Sequence, residues 1–286
     1  MTAPNKLRQL LDEPGILAAP AVYDCIGSKL AEKAGFPLIF TSGFGISASL
    51  LGLPDMGFLT ATEMLNQVKN IIKSVNIPVI CDLDTGYGNV LNVRRTIEDV
   101  VQFGAAGIIL EDQEWPKKCG HFEGKKVIPT DEMVKKIKAA VDARNNSNLV
   151  IIGRTDARAI YGLDEALNRG KQYQEAGADI IFIEAPQSVE ELEKIVTYFP
   201  DIPLFANIIE GGKTPCLTVN ELEKMGFKLV AFALSGLLSG TNAVSHYFEQ
   251  LKQTGTVNQN NDFCQFQDFK NLIEVDKYRE LEMSNI

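Results

Sequence analysis

Nowhere in its 286 residues does the chain approach eighteen consecutive apolar residues, the length at which a helix can cross a bilayer. With 45% hydrophobic and 23% charged residues it reads instead as a soluble globular chain, long enough to bury one large core. Basic stretches are equally scarce. The formal net charge is -9 and the pI about 4.9, and the few lysine pairs fall inside helical patterns or near Lys117, so nothing is laid out to track nucleic-acid phosphates. The five cysteines are irregularly spaced and none has zinc-ligand spacing, which points to a reduced set rather than a disulfide framework. Met-Thr-Ala-Pro-Asn-Lys at the start lacks the apolar core of a signal peptide, and the expected location is the cytoplasm.

What is present is a rhythm. Short apolar runs at 16–23, 37–41, 77–81, 106–110, 149–153, 179–183, 202–206 and 228–232 have strand character, and most are followed by an amphipathic helical stretch. Thr60-Ala-Thr-Glu63, Ser188-Val-Glu-Glu191 and Thr218-Val-Asn-Glu221 each read as a capping box that starts a helix. Eight strand-then-helix units in roughly 250 residues is the arithmetic of an α/β fold of the (β/α)8 TIM-type barrel, with a doubly wound sheet as the rival. Residues 1–240 are expected to form the barrel. In 241–286 a long helix, a polar linker at 254–262 and a terminal helix over 269–283 are expected.

Polar residues gather where the strands end. Ser42-Gly43, Asp82 with Asp84, Glu111-Asp112, Arg154 with Asp156, Glu184, Asn207 and Ser235 all fall at or just past C-terminal strand ends, the face on which barrel enzymes build their sites. Asp82, Asp84 and Glu111 would repel one another unless a cation sits between them. Mg2+ suits them, since it takes oxygen ligands and keeps several waters, and Mn2+ is a substitute. The plainer reading is that these acids cap loops or pair with Arg94 and Arg95. Arg154 offers a bidentate fork for a substrate carboxylate or phosphate, or else an ion pair with Glu184. Cys119 lies between Lys118 and Gly120-His121, whose charges favour thiolate, on a lysine-rich loop that could close over an anion or simply be an exposed connection. Cys25, Cys81, Cys216 and Cys264 read as packing residues, and His246 as a core or interface histidine.

Taken together, Thr41-Ser-Gly43, Leu53-Pro-Asp55, Asp82-Leu-Asp-Thr-Gly-Tyr-Gly88, Glu111-Asp-Gln113 and Lys117-Lys-Cys-Gly-His121 resemble the isocitrate lyase / phosphoenolpyruvate mutase superfamily, and the last motif its lyase branch. The resemblance implies a barrel whose last helix is swapped between subunits of a homo-oligomer, usually a tetramer. It implies Asp82 as a metal ligand, with Asp84 and Glu111 contacting the ion directly or through water. Ser42, Gly43 and Asp55 would hold substrate oxygens, Arg154, Glu184 and Asn207 would line the pocket, and Lys117, Cys119, Gly120 and His121 would ride on a gating loop. Leu234 and Ser235 would touch the variable end of the substrate. There the chain departs from its relatives, with Phe232-Ala233 in place of their usual Tyr-Pro.

The expected activity is Mg2+-dependent carbon–carbon cleavage of a 2-hydroxy dicarboxylate or a close 2-oxo analogue, yielding a 2-oxo acid and a carboxylic acid, with Cys119 as the acid and His121 and Glu184 setting its charge environment. An oxaloacetate hydrolase, in which Ser235 would help hold the hydrate, a phosphonomutase-type enzyme and a non-catalytic scaffold are the alternatives. The partners implied are a small-molecule di- or tricarboxylate and further copies of the chain.

Overall fold

The computed structural model describes residues 1–256 and 263–284. They divide into two compact units, 1–237 and 238–286. In the first, α1 (Ala3–Asp12) precedes β1 (Leu17–Val22), α2 (Cys25–Lys33), β2 (Ile39–Thr41), α3 (Gly43–Leu51), α4 (Ala61–Ser74), β3 (Val79–Asp82), α5 (Val90–Phe103) and β4 (Gly107–Glu111). The second half adds α6 (Thr130–Ala143), β5 (Val150–Thr155), α7 (Arg158–Tyr161), α8 (Leu163–Glu175), β6 (Ile180–Ile183), α9 (Val189–Tyr198), β7 (Leu204–Ile208), α10 (Val219–Met225) and β8 (Leu229–Phe232). All eight strands are parallel and pair in chain order, and β8 returns to β1, so the sheet is a closed (β/α)8 barrel.

Residue parity sorts the core into two layers. Ala19, Phe40, Ile80, Ile109, Ile152, Phe182, Phe205 and Ala231 fill the barrel interior with Leu7 of α1, which closes the N-terminal end. The residues between them, among them Ile39, Cys81, Ile108, Ile151 and Ile181, pack against the surrounding helices. Two residues beyond the last interior apolar side chain, the same parity gives Ser42, Asp82, Glu111, Arg154, Glu184 and Asn207. The barrel interior therefore continues upward into a polar rim.

Local chemistry accounts for most helix starts. Thr60 and Thr218 make reciprocal capping boxes with Glu63 and Glu221. Ser188 is half of the box expected of it. Its hydroxyl accepts from the Glu191 N–H, but the Glu191 carboxylate takes the Arg158 fork at 2.9 and 2.6 Å and the Gln187 N–H at 2.8 Å. An ion pair outcompetes the local cap.

Three helices lie where the sequence pattern showed none: α1, α3 and the single turn α7. In α3 the glycines at 43 and 45 masked the helical pattern, yet Ser42 caps it by accepting from the Gly45 N–H at 3.1 Å. In the second unit, α11 (Ser235–Thr254, beginning in the first unit) is followed by α12 (Phe266–Leu272) and α13 (Val275–Ser284). The single terminal helix expected over 269–283 is thus broken, because Glu274 adopts a left-handed φ of 57°. Most of the expected linker, 257–262, lies outside the described residues.

Asp112 has the opposite parity to Glu111 and points into the layer between strand and helix, fully buried. It accepts from the Thr155 hydroxyl at 2.6 Å, the Asp156 N–H at 2.9 Å, the Arg169 guanidinium at 3.0 Å and the Tyr173 hydroxyl at 2.7 Å. Burial pushes its carboxyl up and Asp156 adds to that, but four donors, one of them charged, favour the ionised form. One carboxylate thus ties β4, the end of β5 and α8 together. Replacing it takes from Arg169 its buried counter-charge, leaving only the more exposed Glu165, and orphans the Tyr173 hydroxyl, so Asp112→Ala is expected to destabilise the protein by about 3–5 kcal/mol, measured as a lower urea midpoint with the slope of the transition unchanged.

Candidate active site

Six strands deliver the rim, and one long loop covers it. After Gln113 the chain leaves the barrel and returns at Val127, where the two residues form an antiparallel bridge. The Gln113 side chain braces the interior of this loop, donating to the Lys118 carbonyl at 2.7 Å and accepting its N–H at 2.9 Å. The Cys119 N–H donates to the Asp55 carbonyl at 2.9 Å. Gly120 lies so close over the rim that a Cβ there would meet Glu184 Oε1 at 2.2 Å and Arg154 Nη2 at 2.6 Å, so only glycine fits. The loop lies directly over the rim.

The loop's lysines are not a solvated fringe. Lys117 and Lys125 are buried, Lys118 is half-buried against the Gly124 carbonyl, and only Lys126 is exposed. Lys117 Nζ stands 2.6 Å from both Asp55 Oδ1 and Asp84 Oδ1. Burial opposes its charge, but Asp84 and Asp55 outweigh that and hold it protonated well above its ordinary range. Lys125 pairs with Asp156 at 3.2 Å and donates to the Gly120 carbonyl. The fork of Arg154 is engaged, with Nε and Nη2 at 2.9 and 3.1 Å from Asp156; Nη2 is also 3.3 Å from Glu111 and 3.9 Å from Glu184. Both sequence readings of Arg154 therefore missed its chief partner. Asp156 lies two residues away in the same strand phase, a signal available in the sequence.

Asp82, Asp84 and Glu111 all lie at this rim, and they pair with neither Arg94 nor Arg95; Arg94 instead reaches Glu98 and Asp142. Asp82 Oδ2 accepts from the Gly43 N–H at 3.3 Å and Asp82 Oδ1 from the Asp84 N–H at 3.2 Å. Burial, with Asp82 and Asp55 adding, pushes Asp84 up to about 6 against the pull of Lys117, and burial raises Glu111 further despite Arg154. Glu184 goes the other way: burial opposes ionisation, but Arg154 and His121 keep it below the usual range.

Among the described residues, the buried side-chain oxygens and nitrogens with neither a hydrogen bond nor an ion-pair partner are Glu111 Oε1, Glu184 Oε2, Asn207 Oδ1 and Thr214 Oγ1, since Asp84 Oδ1 meets Lys117 Nζ at 2.6 Å and His121 Nε2 meets Glu184 Oε1 at 3.3 Å. Three of these four belong to this rim, which marks a place built to receive something. No three His, Cys, Asp or Glu among the described residues stand close enough to chelate an ion by themselves. The donors nevertheless suit a hydrated divalent cation, which needs only one or two carboxylates. Both Asp82 and Asp84 flank the space that a Cβ on Gly43 would fill, at 2.9 and 3.4 Å, and Glu111 Oε1 is left over.

A small cavity remains beneath the loop, and it receives Ser42, Gly43, Asp55, Asp82, Lys117, Cys119, Gly120, Arg154, Glu184, Asn207 and Leu234. An apolar wall of Phe40, Phe44, Phe182 and Phe205 completes it. Ser235 does not line it; its hydroxyl donates to Glu210 at 2.5 Å. The charge environment expected for Cys119 is overturned. Burial, seconded by Asp55 and Glu184, pushes its thiol up to about 11 despite Lys117, so it stays protonated. Of the cysteines expected to pack, only Cys81 is buried; Cys25 is half-buried, and Cys216 and Cys264 are exposed. His246 is exposed too.

The chain is similar to known proteins along nearly its whole length. The family model described as phosphoenolpyruvate phosphomutase matches residues 7–252. The 2,3-dimethylmalate lyase of Eubacterium barkeri is 43% identical over 283 residues, covering 99% of this chain and 98% of that protein. The solved structure of oxaloacetate acetylhydrolase with the inhibitor 3,3-difluorooxalacetate matches with a TM-score of 0.94 at 31% identity, over 99% of this chain and 97% of that one. Phosphonopyruvate hydrolase in complex with oxalate and Mg++ matches at 0.89 and 30% identity, over 99% of both chains. With the barrel, the acidic rim and its covering loop in place, a match along nearly the whole length makes the chain a member of the phosphoenolpyruvate phosphomutase family, within the PEP mutase/isocitrate lyase superfamily.

Proposed function

We propose that this protein is a Mg2+-dependent carbon–carbon lyase acting on a 2-hydroxy dicarboxylate such as 2,3-dimethylmalate, 2-methylisocitrate or another 2-alkylmalate. The observation that carries the reading is Cys119: a buried thiol on the loop over the rim, lining the same cavity as Asp82 and an apolar wall, with burial pushing it up to about 11. The full-length likeness to a 2,3-dimethylmalate lyase supports the reaction class.

Held by Asp82, Asp84 and Glu111, Mg2+ or Mn2+ would supply Lewis acidity to the oxygens at the substrate's C2 end. The chain's own residues do the rest. Ser42, the Gly43 N–H and Asn207 orient substrate oxygens. Lys117 balances the surplus of carboxylate charge at Asp55 and Asp84, and Arg154 does so between Glu111 and Glu184. The closed loop excludes water from the bond that breaks. As the C2 hydroxyl gives its proton to a rim carboxylate and becomes the carbonyl of the 2-oxo acid, the C2–C3 bond breaks with its electron pair on C3, and the Cys119 S–H supplies the proton that quenches C3, leaving a thiolate. A thiol held protonated well past neutrality is the right starting state for an acid.

The oxaloacetate hydrolase alternative uses the same rim but needs a group to hold added water. The Ser235 hydroxyl, turned to Glu210, is not in the cavity, which favours the lyase. The exposed Val244, Phe248 and Phe266 of the second unit support the expectation that it packs on a neighbouring subunit of a homo-oligomer, a tetramer by the family resemblance.

Two experiments test this reading. Purified protein with Mg2+ and a panel of alkylmalates, 2-methylisocitrate, oxaloacetate and phosphonopyruvate is expected to release pyruvate and a short carboxylic acid from a malate-type substrate, and EDTA to abolish the release. Oxalate and acetate from oxaloacetate alone would replace the lyase by the hydrolase. Separately, Cys119→Ser is expected to lower kcat by about 10²–10⁴, the usual contribution of a general acid, with Mg2+ affinity unchanged by calorimetry; a variant with near-normal turnover removes the thiol from the mechanism.

A further inference from the structure

The segment between β7 and α10 is not used by the chemistry above, and nothing in the sequence singles it out. It carries the pair Gly211-Gly212 followed by Lys213. We propose that Gly212 and Lys213 are positioning residues that fix the ring tautomer of His121 and latch the Cys119 loop shut; the consequence for turnover rests on the lyase reading, whereas the latch itself does not.

The Lys213 N–H donates to His121 Nδ1 at 2.9 Å. A ring nitrogen that accepts cannot carry a proton, so the imidazole N–H is placed on Nε2, which faces Glu184 Oε1 at 3.3 Å. The approach that allows this is extreme. A Cβ on Gly212 would stand 2.6 Å from His121 Nδ1 and 2.8 Å from its Cε1, and also 3.0 Å from the Ile209 carbonyl. That carbonyl is held in place, since it accepts the Gly212 N–H at 2.9 Å, so the collision must be relieved by the ring. Gly211 makes the turn with φ 72°, and a Cβ there would meet nothing within 4 Å.

A second contact lies two residues along the loop, where Lys213 Nζ pairs with Glu123. Between the two contacts Phe122 turns back, its N–H donating to the Cys119 carbonyl at 2.9 Å and its ring meeting Phe44 edge-on with centroids 6.1 Å apart. The latch therefore grips the turn that holds Cys119. His121 and Glu123 are held from one side and Phe122 from the other.

The buried, backbone half of the latch sets geometry, and the exposed ion pair adds little, because a half-exposed lysine paired with an exposed glutamate is screened. This predicts different effects for adjacent residues. Gly212→Ala is expected to displace the ring and lower kcat by about a hundredfold, the scale of a 1 Å misplacement near the chemistry. Gly211→Ala, which strains the same turn without touching His121, serves as the control for mere disruption and should cost far less. Lys213→Ala keeps the backbone N–H and should leave kcat within about threefold, as loss of a surface ion pair does.

The chain has only two histidines, so 15N-histidine labelling gives a long-range 1H–15N spectrum readable without assignment of the whole protein. With Mg2+ present, the intact full-length protein is expected to show one histidine locked as the Nε2–H tautomer, and Gly212→Ala to release it into a mixture while Gly211→Ala and Lys213→Ala retain it. A locked Nδ1–H ring, or a tautomer unmoved by Gly212→Ala, would overturn the proposal. Because the spectrum involves no turnover, a failed latch and a failed lyase reading give separate results. In the kinetic arm, Gly212→Ala should add almost nothing to His121→Ala if it acts through the ring; additive losses would mean a structural role only.

Discussion

Six acids, Asp55, Asp82, Asp84, Glu111, Asp156 and Glu184, are buried at the closed end of one barrel, and the architecture of the site follows from the need to offset their charge. An unpaired ion in such a place costs several kcal/mol. Three cations answer them: Arg154 from the rim itself, and Lys117 and Lys125 from the loop. Two of the three counter-charges thus come from the loop that covers the rim. Covering the rim and neutralising it are done by the same segment. The neutralisation is incomplete, since six acids face three cations and Glu111 Oε1 keeps no hydrogen-bond partner, and a divalent cation fits that remainder.

The same charge pairing connects distant layers. Asp156 sits where the Arg154 fork and Lys125 meet, while its backbone N–H is held by Asp112 in the outer layer, where Arg169 and Tyr173 of α8 also converge. A rigid second layer therefore stands behind the rim. On the other flank, Gly212 and Lys213 hold the loop through His121. Rim, loop and latch are three pieces from different parts of the chain, which agree on a single closed geometry.

Much of this was legible in the sequence because it depends on periodicity. Alternation along each strand shows Asp82, Glu111, Arg154, Glu184 and Asn207 as continuations of an apolar interior, and the unit count gives the barrel. What escaped depends on contacts across the chain. Glycines hid α3, although Ser42 caps it. Flanking charges implied a thiolate at Cys119, but Lys118 turns to the Gly124 carbonyl and His121 to Lys213 and Glu184, and burial pushes the thiol up. Ser235 stands at the right rim in sequence and faces Glu210 in space. Gly212 carries no pattern at all, because its requirement is set by a ring ninety-one residues earlier.

The central claim is that Cys119, delivered by the closed loop, hands its proton to one face of the departing fragment. Turnover of 2,3-dimethylmalate in deuterium oxide tests it directly. The account predicts a product acid carrying one deuterium of a single handedness at the carbon freed by cleavage, with that handedness lost in the residual turnover of Cys119→Ser. A scrambled label from the unaltered protein, or an unchanged stereochemical outcome without the thiol, would contradict it.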